Sequence, residues 1–441
     1  MIKRIFVIGC LTGAAYLSTV LVLKKLTASL PITAVKSVGT IDAQFNLIFS
    51  ILAAGLLMTS AREIAISENW RQHYISGQEA RITLSFLLCI FSLVGIYHNE
   101  YYFLAGAPFI ALNGDYLLYA KGRPVTASLL AFLKVFVPSM AMFLAAVYWQ
   151  QYVVWIFALT TIIMYFFSGL VISWLMKFPY WFTPKLSSLR SYLSTLYLGV
   201  VSFSYYFLGL GLIIVADLFY PGRVIAHAYL ALKVYVIYKG VLRIIVQAFF
   251  SEMMDEDVSI KVDRLSILTG LAFLISASLF PSGFLSLFVD KSLVQDFSWI
   301  FLIGINGFLF SPFLSLTTRA ILEKKDKAYA GLVTIAMLVS TLTCIIFSFS
   351  SASEKTIIIS LGLGEFIASA GLIIILKKLS LVKERLLFIA MNLPLLAIPG
   401  LMVYFLGDSF FTFIIFLFVF SAAALLLNRN QFKMKPKISR A

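Results

Sequence analysis

The stretch LLYAKGRPVTASLLAFLKVFVPSMAMFL, Leu117–Leu144, decides how the chain is read. It closes one apolar run, turns through Lys121, Gly122, Arg123 and Pro124, and opens a second run. The second run has the roughly 20 mainly apolar residues that a helix needs to cross the hydrocarbon core of a bilayer. Gly and Pro punctuate the turn, and its two basic residues mark the side of the membrane on which short loops hold Lys and Arg. One ammonium, Lys134, stands midway along the second run. A charge there costs about 2.5–3.5 kcal/mol on insertion scales, so it is expected to face a wet cavity rather than lipid. The stretch is a helical hairpin of a membrane protein with a candidate functional group inside it.

The rest of the chain repeats the pattern. Of 441 residues, 61% are hydrophobic and only 12% charged, with a mean hydropathy of +0.97. A soluble domain carries about 25% charged residues, because its surface must meet water. The same ruler yields fourteen segments, from 5–23 to 409–428, including 41–60 (span 2), 82–98 (span 3), 101–120 (span 4), 126–147 (span 5), 190–218 (span 7), 225–250 (span 8), 266–289 (span 9) and 355–377 (span 12). The expected fold class is an all-α polytopic membrane protein. Lys3 and Arg4 followed by an apolar stretch imitate a signal peptide, but the many later spans favour an uncleaved first helix. Cys10, Cys89 and Cys344 are far apart in apolar runs, which argues against a disulfide framework and a metal site.

An even number of spans puts both termini on one side. With the N-terminus cytoplasmic, 25 of the 35 Lys and Arg residues fall inside, six outside and four within spans. This asymmetry predicts cytoplasmic termini. It also accounts for the formal charge of +15 through topology, without nucleic acid as a partner. The outside loops are short and leave no room for a domain there.

An internal repeat is visible at an offset of 203 residues. Leu117–Leu144 lies against Ala320–Phe347, AILEKKDKAYAGLVTIAMLVSTLTCIIF, and each holds a span end, a basic turn and the next span start. Pairing spans 4 and 5 with spans 10 and 11 predicts two parallel six-helix lobes, a common transporter plan. The expected division is 1–180 and 181–380, then two further helices over 381–428 and a basic cytoplasmic tail over 429–441.

No phosphate loop, nucleophile elbow, zinc-binding or dinucleotide motif is present, and the histidines are scattered near span ends. The sequence therefore indicates neither an enzyme nor a bound cofactor. The informative positions are charges inside spans. Lys134 and Lys239 lie near the middles of spans 5 and 8; Arg243 is four residues from Lys239 and shares its helix face. Lys233 is about 120° away from Lys239 around the helix, nearer the outer end, where snorkelling to the headgroups competes with a cavity role. Arg62 closes span 2 in MTSAREIA, where topology alone also explains a basic residue. Glu365 falls at the centre of span 12 and is a candidate for a structural pair, ion coupling or a buried neutral acid; Asp115, near the cytoplasmic end of span 4, reads first as interfacial, with ion coupling or a structural pair as the alternative. Pro108, Pro138, Pro312, Pro394 and Pro399 lie within spans and are expected to bend them. Tyr205, Tyr206, Tyr235 and Tyr238 are mainly packing groups, with stacking on sugar rings as the alternative.

Three stretches together resemble a known family: FNLIFSILAAGLLMTSAREIA at 45–65, the basic turn and next helix at 319–347, and LGLGEFIASAGLIIIL at 361–376. With the six-plus-six-plus-two plan, the chain is similar to the polysaccharide-export branch of the multidrug/oligosaccharidyl-lipid/polysaccharide (MOP) flippase superfamily, and to its O-antigen flippases. It departs from the expected pattern in span 7, where SYYFLGLGLIIVA (204–216) has no charged residue midway. The resemblance implies a MATE-like fold in a bacterial inner membrane. It implies a flippase that moves an undecaprenyl-pyrophosphate-linked oligosaccharide, an O-antigen or related glycan unit, to the periplasmic leaflet by alternating access. It also brings membrane lipids, a glycan polymerase and chain-length proteins into view as partners. Lys134, Lys239, Arg243, Lys233 and Arg62 are the candidates for holding the anionic headgroup, since an ammonium or guanidinium can replace part of its water.

Two competing readings remain. A cation-coupled multidrug exporter of the same superfamily would need acidic groups in its cavity, whereas the mid-span set here is mainly basic. A membrane-embedded glycan polymerase would need sizeable outside loops.

Overall fold

The computed structural model describes residues 2–53, 64, 67–96, 99–193, 196–249, 255–323, 325–377, 379–429 and 431. Among the described residues, the regular elements are helices. In order they are α1 (Ile2–Ser29), α2 (Ile32–Ala53), α3 (Trp70–Ile90), α4 (Ala107–Ala111), α5 (Asp115–Ala120), α6 (Pro124–Tyr148) and α7 (Val153–Met176). Then come α8 (Leu186–Leu193), α9 (Leu196–Phe207), α10 (Gly211–Phe219), α11 (Gly222–Phe249), α12 (Glu256–Leu279) and α13 (Pro281–Leu285). The last are α14 (Phe301–Phe310), α15 (Leu314–Leu322), α16 (Asp326–Ser350), α17 (Glu354–Leu376), α18 (Leu379–Asn392), α19 (Ala397–Leu406) and α20 (Phe410–Leu427).

Local sequence explains where these helices begin and end. Pro124 opens α6, where its missing N–H is no loss and its fixed φ suits the first turn. The 25 residues of α6 extend for about 37 Å, enough to cross a bilayer with some tilt. α7 stops at Lys177, whose φ of 57° is left-handed; Phe178 N–H then returns to the Ser173 carbonyl at 2.9 Å, and Pro179 prevents continuation. Of the prolines expected to bend spans, Pro138 lies inside α6, Pro108 in the first turn of α4, and Pro312 and Pro394 in 3₁₀ turns between helices.

Among the described residues, eight helices are long and apolar enough to cross a membrane, or nine if a bent pair counts as one. That pair, Gly199–Phe207 and Gly211–Phe219, meets at 52° across the break at Leu208–Leu210, within the stretch read as span 7. α2, α3, α11 and α12 lie outside this set, and each carries buried or cavity-lining charge: Asp42, Arg81, Lys233 and Asp263. The apolar set supports a multi-pass membrane protein, without fixing the number of spans at fourteen.

Several element boundaries differ from the sequence reading, among them the starts of α3 and α12. Hydropathy starts span 3 at residue 82, yet α3 begins at Trp70 and buries its polar half. Glu79 accepts from Lys185 and from Ser188 Oγ (2.8 Å), and Arg81 donates to the Asn113 carbonyl, so those charges have partners that hydropathy does not register. Hydropathy likewise starts span 9 at 266, yet α12 begins at Glu256, capped by Asp255 accepting from Asp257 N–H. Its buried Asp263 is satisfied by Arg385 and by the backbone and hydroxyl of Ser315.

The chain packs as two compact units. Unit 1 comprises residues 1–237, 287–293 and 326–367; unit 2 comprises 238–286, 294–325 and 368–441. In unit 1, α6 packs on α1 and α7, α2 packs on α7, α9 and α10, and α16 packs on α9 and α10. Gly39 lets α2 approach Tyr229 of α11: a Cβ there would lie 2.6 Å from the ring. In unit 2, α12 packs on α14 and α15, and α20 packs on α13 and α19. The Asp408 carboxylate accepts the Ser282 and Gly283 N–H groups, 2.8 and 2.9 Å away, at the start of α13.

Candidate functional site

Unit 1 holds a partly open cavity of about 180 Å³. This is smaller than the roughly 300–1,000 Å³ of pockets that take drug-sized ligands. Its wall comes from five helices. α1 gives Thr19, Val22 and Leu23; α2 gives Asp42, Phe45, Asn46 and Phe49; α6 gives Lys134, Val135, Pro138, Ser139 and Met142. Phe157, Thr161 and Tyr165 come from α7, and Tyr229 and Lys233 from α11. The lining is apolar and aromatic with a few polar groups, a usual composition for a binding pocket.

Its charges form two pairs. Lys134, 7% exposed, is bonded to the Asp115 carboxylate and donates to Asn113 Oδ1 at 3.2 Å. Lys233 is paired with Asp42, which also accepts from Tyr229 Oη at 3.1 Å. Asn46 Nδ2 lies one turn further along α2 and donates to the Asp42 carbonyl at 2.7 Å. The helical spacing explains the second pair: Tyr229 and Lys233 are four apart and share a face of α11, as Asp42 and Asn46 do on α2. Three lining groups are ionisable as Lys or Asp, two cationic and one anionic.

The other candidates lie elsewhere. Lys239 and Arg243 belong to unit 2, where Lys239 Nζ stands 4.9 Å from the centre of the Phe310 ring and Arg243 is exposed; neither lines the unit 1 cavity. Arg62 lies outside the described residues. Glu365 is fully buried in α17, within electrostatic range of Tyr205 and Tyr329, whose hydroxyls bond each other at 2.7 Å. Asp217 pairs with Lys36 at 2.7 Å. The tyrosines weighed as sugar platforms are packed: Tyr206 donates to the Ala43 carbonyl, and Tyr238 stacks on Phe273 at 4.0 Å. Tyr165 and Tyr229 are the ones that face the cavity.

Sequence reading misses Asp42, Asn113, Tyr165 and Tyr229. With span 2 started at residue 41, Asp42 falls at a span end and resembles an interfacial group. The signal that corrects this is Pro31, a helix opener that sets the start of α2 at Ile32 and Asp42 about 15 Å along it. Snorkelling of Lys233 is replaced by its pair with Asp42, since a nearby carboxylate offers more than a long reach to the headgroups.

No protein-family model matches the sequence, and no curated protein matches it. Among solved structures, the chain is similar to the lipid II flippase MurJ in its inward closed conformation, with a TM-score of 0.75 and 12% identity over 98% of this chain and 100% of that one. It is similar to the inward-facing conformation of a multidrug resistance MATE family transporter of the MOP superfamily, with a TM-score of 0.62 and 16% identity, covering 85% and 96% of the two chains. An outward-facing MATE transporter of that superfamily gives 0.54 and 17%, covering 86% and 96%. Identities this low speak for fold alone, and on that ground the chain is an all-α polytopic membrane protein with the MurJ- and MATE-like fold.

Proposed function

We propose that the protein is a flippase that moves a polyprenyl-pyrophosphate-linked oligosaccharide, an O-antigen unit or a related glycan, from the cytoplasmic to the periplasmic leaflet of a bacterial inner membrane by alternating access. The observation that carries this reading is that Lys134 and Lys233, from helices far apart in sequence, line one cavity within a MurJ-like fold. Each ammonium is paired with a carboxylate, and a headgroup phosphate would compete with Asp42 for the donors of Lys233. The lipid chain stays in the bilayer. An interior-negative potential helps, favouring outward movement of negative charge by roughly 2.3 kcal/mol per charge per 100 mV. In this reading both termini are cytoplasmic, and the repeat at offset 203 marks two six-helix lobes, 1–180 and 181–380, as a matter of ancestry. Arg62, Lys239 and Arg243 are further basic candidates in this reading.

The test is transbilayer movement of a polyprenyl-pyrophosphate oligosaccharide in proteoliposomes. Wild-type protein is expected to move it, and folded Lys233→Ala to slow it at least about tenfold, the loss of one charge-assisted contact of about 1.4 kcal/mol. Absence of movement with a substrate from the native pathway overturns the reading. A multidrug exporter is the second reading, because the Asp42 carboxylate also lines the cavity and an acid there suits a cationic drug. Protection of cells against cationic dyes, lost in Asp42→Asn, would favour it.

A further inference from the structure

The ammonium of Lys134 has three N–H donors. One is taken by the Asp115 carboxylate and a second by Asn113 Oδ1, while the group stands 4.9 Å from the centre of the Tyr165 ring. Ser168 Oγ lies 3.2 Å from both Asn113 Oδ1 and Asp115 Oδ1, and so ties the two ligating side chains together from α7. All five residues belong to unit 1.

The cage is also held from behind by contacts that do not involve Lys134. Asn113 sits in the break between α4 and α5, where Arg81 donates to its carbonyl and Gln78 Nε2 donates to the Leu112 carbonyl at 3.3 Å. Gly114 packs so closely there that a Cβ would lie 2.2 Å from Tyr74 Oη. A carboxylate and an amide oxygen, tied together by a hydroxyl and faced by an aromatic ring, are preset in this way and suit a hard cation of single charge. The single carboxylate balances one positive charge.

We propose that this cluster is a monovalent-cation site in which the chain supplies its own cation, the Lys134 ammonium, in place of a sodium or potassium ion. Whatever the cavity carries, two consequences follow. Lys134 stays with its own ligands and leaves direct contact with a cargo to Lys233. The wild-type protein also takes up no inorganic cation at this position, because the ammonium already fills it.

The test uses purified full-length protein, with thermal unfolding followed in choline, sodium, potassium and methylammonium chlorides at equal ionic strength. Wild type is expected to unfold at one temperature in all four. Lys134→Ala is expected to unfold at a lower temperature in choline and to recover at least half of the loss, with saturation, in sodium, potassium or methylammonium. Adding Asp115→Asn should abolish that recovery. The proposal is overturned if Lys134→Ala responds alike to all four salts, if recovery survives Asp115→Asn, or if wild type itself shows a sodium-specific rise that Asp115→Asn removes. Should Lys134→Ala not yield folded protein, Lys134→Met, which keeps most of the stem's volume, is taken through the same salts and read by the same criteria. Because the readout is stability, its failure is distinguishable from failure of the flippase reading.

Discussion

The two lysines of the cavity differ in what surrounds them, and the difference decides what each substitution does. Lys233 has one carboxylate, Asp42, with their side chains 16% and 11% exposed. Removing either partner alone strands a charge away from water, which costs about 3–5 kcal/mol where burial is complete and somewhat less here. Asp42→Asn and Lys233→Met should therefore each lower the unfolding temperature, while the double variant loses less than the sum. A cycle measured by thermal unfolding should show a coupling of about 1–3 kcal/mol; additive losses would mean that the pair is not formed. Glu365 differs again, being fully buried in α17 near the Tyr205–Tyr329 pair. If it binds a coupling ion, Glu365→Gln should leave a folded protein whose transport no longer responds to a proton or sodium gradient. An unchanged gradient dependence would return Glu365 to a structural role. Asp42 is hard to see in the sequence because a carboxylate near a span end looks like an interfacial group until the helix start is known.

At the scale of elements, close approach rather than hydropathy sets the cavity wall. α2 meets α11 through Gly39, and the Asp42–Lys233 pair lies one turn away. Gly39→Ala would press a methyl group into the Tyr229 ring, forcing α11 outward and lengthening the bond from Tyr229 Oη to Asp42. Overpacking of this kind costs about 1–3 kcal/mol, so a lower unfolding temperature is expected together with weaker transport. Unchanged transport in a destabilised Gly39→Ala protein would separate the helix contact from the site. Ser409 caps α20 by accepting from Thr412 N–H at 3.2 Å. Ser409→Ala should cost about 1 kcal/mol and leave transport unaltered, a control that touches no cavity group. The late start that hydropathy gives span 3 has the same physical origin as the difficulty at Asp42. A polar half-helix such as that of α3 enters the interior only because Lys185, Ser188 and the Asn113 carbonyl satisfy it, and those partners come from distant parts of the chain.

For the whole molecule, the distribution of Lys and Arg makes the most direct prediction. Single cysteines placed at the Lys121–Arg123 turn should be shielded from a membrane-impermeant maleimide in intact cells, and those beside Arg223 or Glu354 should react. The reverse pattern would invert the topology and with it the direction proposed for transport. The fold likeness to MurJ and to MATE transporters spans most of the chain at 12–17% identity. Such low identity is understandable for helices whose lipid-facing positions accept any large apolar residue. Shape is then kept by close packing at a few positions, while the charges in the cavity are free to differ between relatives.

Composition and hydropathy period alone determined that this chain is a bundle of membrane helices, because each span must satisfy its own backbone hydrogen bonds and needs only local sequence to do so. Charge asymmetry likewise carried the expected orientation, and the cost of burying charge was enough to single out Lys134, Lys239, Arg243, Lys233 and Glu365 as a set, without ranking them. Tertiary structure decided which of these charges meet. It brought Asp42 to Lys233 and Asn113 and Asp115 to Lys134, and it left Lys239 outside the lining of the unit 1 cavity. Pairing depends on helix rotation and register between segments from 19 to 191 residues apart. A sequence read one span at a time holds no measure of that distance.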